Sequence, residues 1–223
     1  MSFMKNSLVV FLVLYFTACA LQTNDKSSEK SEKFAFSFSE KYIGLEKNRT
    51  FQWLGIPYAQ APVGSLRWKA PRSLENENDQ VKAIEFSNPC PQVESISIDK
   101  KGEGEFLGSE DCLFLNIFAP KNISSDKKLP VMFWIHGGGN TSGEAGSYDF
   151  SKLAVAHDLV IVSINYRLGF LGWFYHPSFA ATSNDQGDKS GNFGTLDQIM
   201  ALKWVRKNIE DFGGDKNNVT IFG

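Results

Sequence analysis

Residues 134–140 read Trp-Ile-His-Gly-Gly-Gly-Asn, and the three adjacent glycines close an almost wholly apolar run. Glycine has no Cβ, so the N–H groups of Gly137, Gly138 and Gly139 can point into a cavity with nothing blocking approach. Two such donors can hold an oxygen that becomes negative in a tetrahedral intermediate, which is the chemistry of acyl transfer. A phosphate-binding loop is a competing chemistry, but the chain has neither Gly-Lys-Ser/Thr nor Gly-x-Gly-x-x-Gly. A plain flexible turn is the third reading, and the glycines alone do not choose between it and the oxyanion site.

Acyl transfer also needs a nucleophile and a base. Ser142, Ser147 and Ser163 are not in a Gly-x-Ser-x-Gly frame, so none is read as a nucleophile. His136 precedes the glycines and reads as a loop-bracing imidazole; His157 and His176 read as surface or structural.

The elements around the glycines set their position. Leu129–Gly139 begins as a strand apolar on both faces, as expected for the centre of a sheet. Residues 112–120 and 159–166 read as further strands, with a helix over about 150–157 between the second and third. A longer helix is expected over Thr195–Phe212, with Leu196, Ile199, Leu202, Val205, Ile209 and Phe212 at helical spacing. Thr195 and Gln198 fit a capping box at its start, and Gly213-Gly214 a stop. A final strand, Asn218–Phe222, leads to Gly223. Strands alternating with helices predict an α/β fold with parallel strands. Upstream, 34–40 alternates Phe34, Phe36 and Phe38 as a half-buried strand would, and 50–59 reads as a second strand, both placed at the sheet's edge. The interval from Cys90 to Glu110 reads as a surface loop.

The chain has 223 residues, 42% hydrophobic and 22% charged, with a formal net charge of −2. That excludes disorder as the main state, and with no basic stripe it gives no sign of a nucleic-acid partner. At the N-terminus, Lys5, the apolar run 8–16 and small residues before Cys19 predict a signal peptide over 1–18. The segment Phe16-Thr17-Ala18-Cys19 resembles a bacterial lipobox, although Phe16 stands where Leu is usual; simple cleavage and secretion is the other reading. Residues 19–33 then form a lipidated Cys19 and a flexible tether, and 34–223 the folded domain. Of three cysteines, setting aside Cys19 leaves Cys90 and Cys112. An oxidising compartment would let them close a loop of about 22 residues, worth about 3 kcal/mol in the chain-entropy model; two reduced, buried thiols are the alternative.

Six motifs in order carry a family resemblance: Gly55–Trp68, Ser109–Pro120, His136–Asn140, Ile164–Gly172, Gly191–Ile209 and Phe212–Gly223. From about Phe34 onward the chain resembles the N-terminal part of the type-B carboxylesterase/cholinesterase family. The resemblance implies the N-terminal part of an α/β-hydrolase fold, with a mostly parallel central sheet and antiparallel N-terminal edge strands. In that family the last motif continues Glu-Ser-Ala-Gly, so Gly223 is expected to start the nucleophile elbow Gly-x-Ser-x-Gly. The triad runs Ser, then Asp or Glu, then His, which places all three beyond Gly223 and predicts an inactive isolated fragment.

For the residues present, the resemblance makes Gly138 and Gly139 the oxyanion donors, with Gly137 shaping the turn and His136 supporting it. It pairs Cys90 with Cys112, and Arg67 with Glu110 and Arg167 with Asp197 as ion pairs. No Trp lies between Cys90 and Cys112, where cholinesterases carry one for a quaternary ammonium, so a choline ester is disfavoured. The expected partner is a small-molecule carboxylic ester, with membrane contact only through Cys19. No cofactor or metal is expected, because a serine triad needs none. A non-catalytic binding or adhesion protein on the same fold, and an inactive truncated product, are the alternatives.

Overall fold

The computed structural model describes residues 33–38, 40–75, 79–93, 105–123 and 126–223. The expected signal peptide, Cys19 and nearly all of the tether lie outside them.

Among the described residues, ten strands and four α-helices follow one another. The strands are β1 (Lys33–Phe36), β2 (Tyr42–Lys47), β3 (Thr50–Pro57), β4 (Val81–Lys82), β5 (Gln92–Val93), β6 (Phe106–Leu107), β7 (Phe114–Pro120), β8 (Leu129–Ile135), β9 (Val160–Ile164) and β10 (Gly214–Phe222). The helices are α1 (Ser151–His157), α2 (Gly169–Gly172), α3 (Pro177–Ala181) and α4 (Phe193–Asn208). One sheet runs in the order β1-β2-β3-β7-β9-β8-β10, with β4 added beside β2. The strands β9, β8 and β10 are parallel, whereas β1, β2, β3 and β7 form antiparallel ladders on one side. The expected α/β architecture with antiparallel N-terminal strands is found. β7 joins that antiparallel group, running opposite to β9.

The apolar runs of β8 and β9 are continuous because helices cover both faces of the sheet. Val131 and Phe133 of β8, with Val160, Val162 and Ile164 of β9, enter one core together with Ala201, Trp204 and Val205 of α4. The alternate residues Trp134 and Ile161 enter a second core with Phe150 and Ala154 at the start and on the inner face of α1. Side chains alternate across the sheet with period two, so each strand feeds both cores.

Several boundaries depart from expectation. β1 ends at Phe36; Ser37 turns the chain, its hydroxyl accepting the Tyr42 N–H, and Phe38 is exposed. Helix α4 starts two residues before Thr195, with Asn192 at its cap position and no side-chain cap, so the Thr195–Gln198 capping box is not formed. Its buried face is Phe193, Asp197, Ala201, Trp204 and Val205, and Ile199 is exposed. Of the expected apolar positions, Val205, Ile209 and Phe212 are buried and Leu196 and Leu202 half-buried; what apolar spacing does not mark is Asp197, a buried carboxylate on this face. The helix gives way to a 3₁₀ turn, Ile209–Phe212, which ends at Gly213 in the left-handed region. Gly213 therefore is the stop, and Gly214 already belongs to β10. The Cys90–Glu110 interval is more than a loop: β5 and β6 pair antiparallel within it.

Candidate active site

The parallel ladders align Ile135 with Ile164 and Trp134 with both Ser163 and Phe222. His136, Asn165 and Gly223, the residues that follow, therefore emerge at one edge of the sheet. This is the carboxyl edge, where open α/β sheets place ligands. Gly223 packs so closely on β8 that a Cβ there would overlap the Ile135 carbonyl oxygen, which leaves glycine as the residue that fits.

The glycine loop leaves the strand ladder at once. Gly138 has φ of 109°, and a Cβ on it would overlap the Ser142 carbonyl oxygen. Its own carbonyl accepts the N–H groups of Thr141 at 3.1 Å and Ser142 at 3.2 Å, which winds the loop into a turn. Gly139 and Asn140 follow with φ of 61° each, a conformation that asparagine tolerates better than most residues. The Asn140 carbonyl accepts the Gly169 N–H at 2.7 Å and ties the loop to the start of α2. Among the described residues nothing accepts from the N–H of Gly138 or Gly139.

A cavity of about 510 Å³ opens beside this turn, lined by Trp134, His136, Gly137, Gly138, Gly143, Ser147, Tyr148, Phe150 and Gly223. The structure thus brings His136, Gly137, Gly138 and Gly223 to one space. Gly139 lies at the next position of the turn and is not on the cavity wall. Trp134, Tyr148 and Phe150 make one wall aromatic, their rings 5.2–6.0 Å apart.

His136 is buried and stacks on Tyr166 with ring centroids 4.3 Å apart. Its Nδ1 lies 2.8 Å from the Gly137 carbonyl oxygen, so Nδ1 carries the proton. The Tyr166 hydroxyl donates to the His136 carbonyl at 2.7 Å. Burial pushes the imidazole below its usual pKa, and the bond to Gly137 only partly opposes this. The ring thus meets the Gly137 carbonyl in its neutral form.

Of the other histidines and serines considered, Ser147 lines the cavity, and His157, His176, Ser142 and Ser163 do not. His157 sits in the last turn of α1, and His176 caps α3 by accepting the Ser178 N–H at 3.2 Å. Ser142 and Ser147 lie close to loop carbonyls, and buried Ser163 donates to the Ala145 carbonyl at 2.9 Å. Cys90 and Cys112 are joined in a disulfide, both buried. Arg67 grips Glu110 through two hydrogen bonds of 2.6 Å at the surface. Arg167 and Asp197 form the second pair in the interior, at 2.8 and 2.7 Å. No group of three His, Cys, Asp or Glu among the described residues could hold a metal.

Sequence reasoning did not single out Tyr148, Phe150 or Gly143. Tyr148 and Phe150 follow the glycines by about ten residues, within reach of the same edge, but nothing in their types separates a cavity wall from a core.

Residues 40–223 match the family model described as the carboxylesterase family. A para-nitrobenzyl esterase of Bacillus subtilis (strain 168) is 46% identical over 186 residues, 82% of this chain and 36% of that protein. Liver carboxylesterase B-1 of Rattus norvegicus is 36% identical over 223 residues, 96% of this chain and 38% of that protein. Among solved structures, a PNB esterase superposes with a TM-score of 0.70 at 42% identity, over 86% of this chain and 38% of the other. EstA of Aspergillus niger superposes with a TM-score of 0.68 at 30% identity, over 85% and 35%. The chain spans 36% to 38% of the length of these two curated relatives.

Proposed function

This chain belongs to the carboxylesterase family, and from that premise we propose that it forms the oxyanion side of a serine hydrolase acting on small carboxylic esters. The nucleophile would be the serine of a Gly-x-Ser-x-Gly elbow that Gly223 begins, with the acid and base following it. The observation that carries this reading is the shared cavity: Gly138 and Gly223 line one space, and the loop N–H groups beside it are unused.

The chemistry follows from that placement. A serine oxygen raised on the elbow would attack an ester carbonyl held in the cavity. The carbonyl oxygen would then carry negative charge, and the N–H groups of Gly138 and Gly139 are the donors for it. Gly137 shapes the turn and neutral His136 holds it in place. Collapse of the intermediate releases the alcohol and leaves an acyl-enzyme, which water cleaves. The aromatic wall of Trp134, Tyr148 and Phe150 suits an apolar part of the ester.

The N-terminal reading completes the proposal: signal peptide over 1–18, Cys19 and tether over 19–33, and the hydrolase domain from 34 onward. The Cys90–Cys112 bond supports an oxidising compartment and hence export. Lipidation of Cys19 is the anchoring step, with plain secretion as the alternative. No helix among the described residues is long and apolar enough to cross a membrane.

The test uses the polypeptide read on through the elbow serine, with a p-nitrophenyl ester as substrate. Gly138→Ala shifts the loop, because the added Cβ overlaps the Ser142 carbonyl oxygen. Losing one oxyanion donor costs about 100- to 1000-fold in kcat, and a loss of that order is expected. Full kcat in the folded variant rules out an oxyanion role for this loop. The 223-residue chain alone is expected to show no turnover.

A further inference from the structure

Gln92 is not on the cavity wall, yet it holds the far end of the glycine loop. The Gly143 N–H donates to Gln92 Oε1 at 2.8 Å, and Gln92 Nε2 donates back to the Gly143 carbonyl at 2.9 Å. The same Nε2 donates to the Cys90 carbonyl at 3.0 Å. A side-chain amide thus plays the part of a neighbouring strand for one residue, and it stands two positions from a disulfide that fixes its own segment.

Gly143 is a tight joint. A Cβ on it would overlap His136 Nδ1 and lie 2.6 Å from the Gly137 carbonyl oxygen. Wherever Gly143 sits, the imidazole and the first glycine of the triplet must follow. Two residues further on, Ala145 is held in the same two-ended way. Its N–H donates to Asn165 Oδ1 at 2.7 Å and its carbonyl accepts from Ser163 at 2.9 Å. The sheet therefore fixes Ala145, while the disulfide segment fixes Gly143.

Residues Gly137–Asn140 are exposed, and the glycines among them carry no side chain to pack. Glycine-rich backbone has much conformational freedom to lose, so donors on such a loop keep their aim only if both ends are fixed. Resting on the esterase reading, we propose that Gln92 is a positioning residue for the oxyanion loop. It holds Gly143 against His136 and Gly137, and so keeps Gly138, whose N–H is unused, at the cavity wall. Glutamine suits the task because it offers one acceptor and one donor at this length; glutamate has no donor and leucine has neither.

Gln92→Leu keeps the approximate size and removes all three bonds, and Gln92→Glu keeps only the acceptor for the Gly143 N–H. In the polypeptide read on through the serine, both variants are expected to lower kcat toward p-nitrophenyl acetate about 10-fold or more, with KM changed less than about twofold. Small misplacements of this kind cost up to about 100-fold. In the same variants of that polypeptide, the Thr141 and Ser142 amides are expected to exchange hydrogen faster. The amides of β9, measured alongside, stay protected. Unchanged kcat or unchanged loop exchange overturns the proposal, as does a general rise in exchange that includes β9, which marks a merely structural role. If the unmutated polypeptide hydrolyses no ester, the esterase reading fails by itself; loop exchange then decides whether Gln92 holds the loop.

Discussion

At the scale of single residues, His136 is held as an uncharged ring. It is buried against Tyr166, and its Nδ1 proton is committed to the Gly137 carbonyl. Burial holds its pKa below the ordinary value of about 6.5. As pH falls, the unfolded chain therefore takes up this proton before the folded one does. The stability contributed by the neutral ring is present above about pH 6.5 and is lost as pH drops through the lower folded-state value. The urea midpoint of His136→Gln is accordingly expected to change less than that of the unmutated protein between about pH 7.5 and about pH 5.5. Parallel curves for the two proteins count against a perturbed imidazole. Asp188 shows the same logic in a carboxylate. Burial raises its pKa, but bonds from Ser183, the Ala70 N–H and Arg72 outweigh burial and leave it lowered.

At the scale of elements, the buried pair Arg167–Asp197 joins three parts of the chain. Asp197 on α4 accepts from the Arg167 side chain twice and from its backbone N–H at 3.1 Å. Arg167, on the turn between β9 and α2, also donates to the Lys69 carbonyl at 2.8 Å. Complete burial pushes the Asp197 carboxyl up, while these bonds pull it the other way. A buried pair of this kind adds little over a well-packed apolar replacement, but removing one member strands the other charge. Asp197→Ala is therefore expected to cost about 3–5 kcal/mol in chemical denaturation. A loss under about 1 kcal/mol, the range of exposed pairs, would mean that water reaches Arg167 in the variant. The contrast with Arg67–Glu110 is one of setting. That pair has equally short bonds but lies at the surface, where solvent screens it.

At the scale of the whole molecule, the sheet is covered on both faces near β8 and β9 but less so at β10. Among the described residues β10 pairs with β8 alone, and Ile221 is 54% exposed. A strand with one open edge and apolar side chains in water is a template for association. Residues 20–223 produced by themselves are expected to run as oligomers in size-exclusion chromatography and to bind a hydrophobic dye. A soluble, dye-free monomer would show that β10 needs no further neighbour. The disulfide works at the same scale, since it closes a loop of 22 residues and secures the segment that carries Gln92.

The strands β3, β7, β8 and β9 were legible because alternation and continuous apolar runs report a sheet wherever its faces are covered. The glycine triplet marked a stretch without Cβ atoms at the end of a buried strand, and residue types alone left an oxyanion site and a plain turn both open. The buried face of α4 was legible only in part: Val205 was expected there, Asp197 was not. Asp197 counts as polar in any periodicity, and only its contact with Arg167, 30 residues away, permits its burial. The capping box failed for a related reason: the helix begins at Phe193, where the core draws the chain in before Thr195. Residue types thus determined where the backbone carries no Cβ and which cysteines could pair. Only the tertiary structure put Gly138 and Gly223 on one cavity and Gln92 against Gly143, because those contacts join segments that local pattern cannot connect.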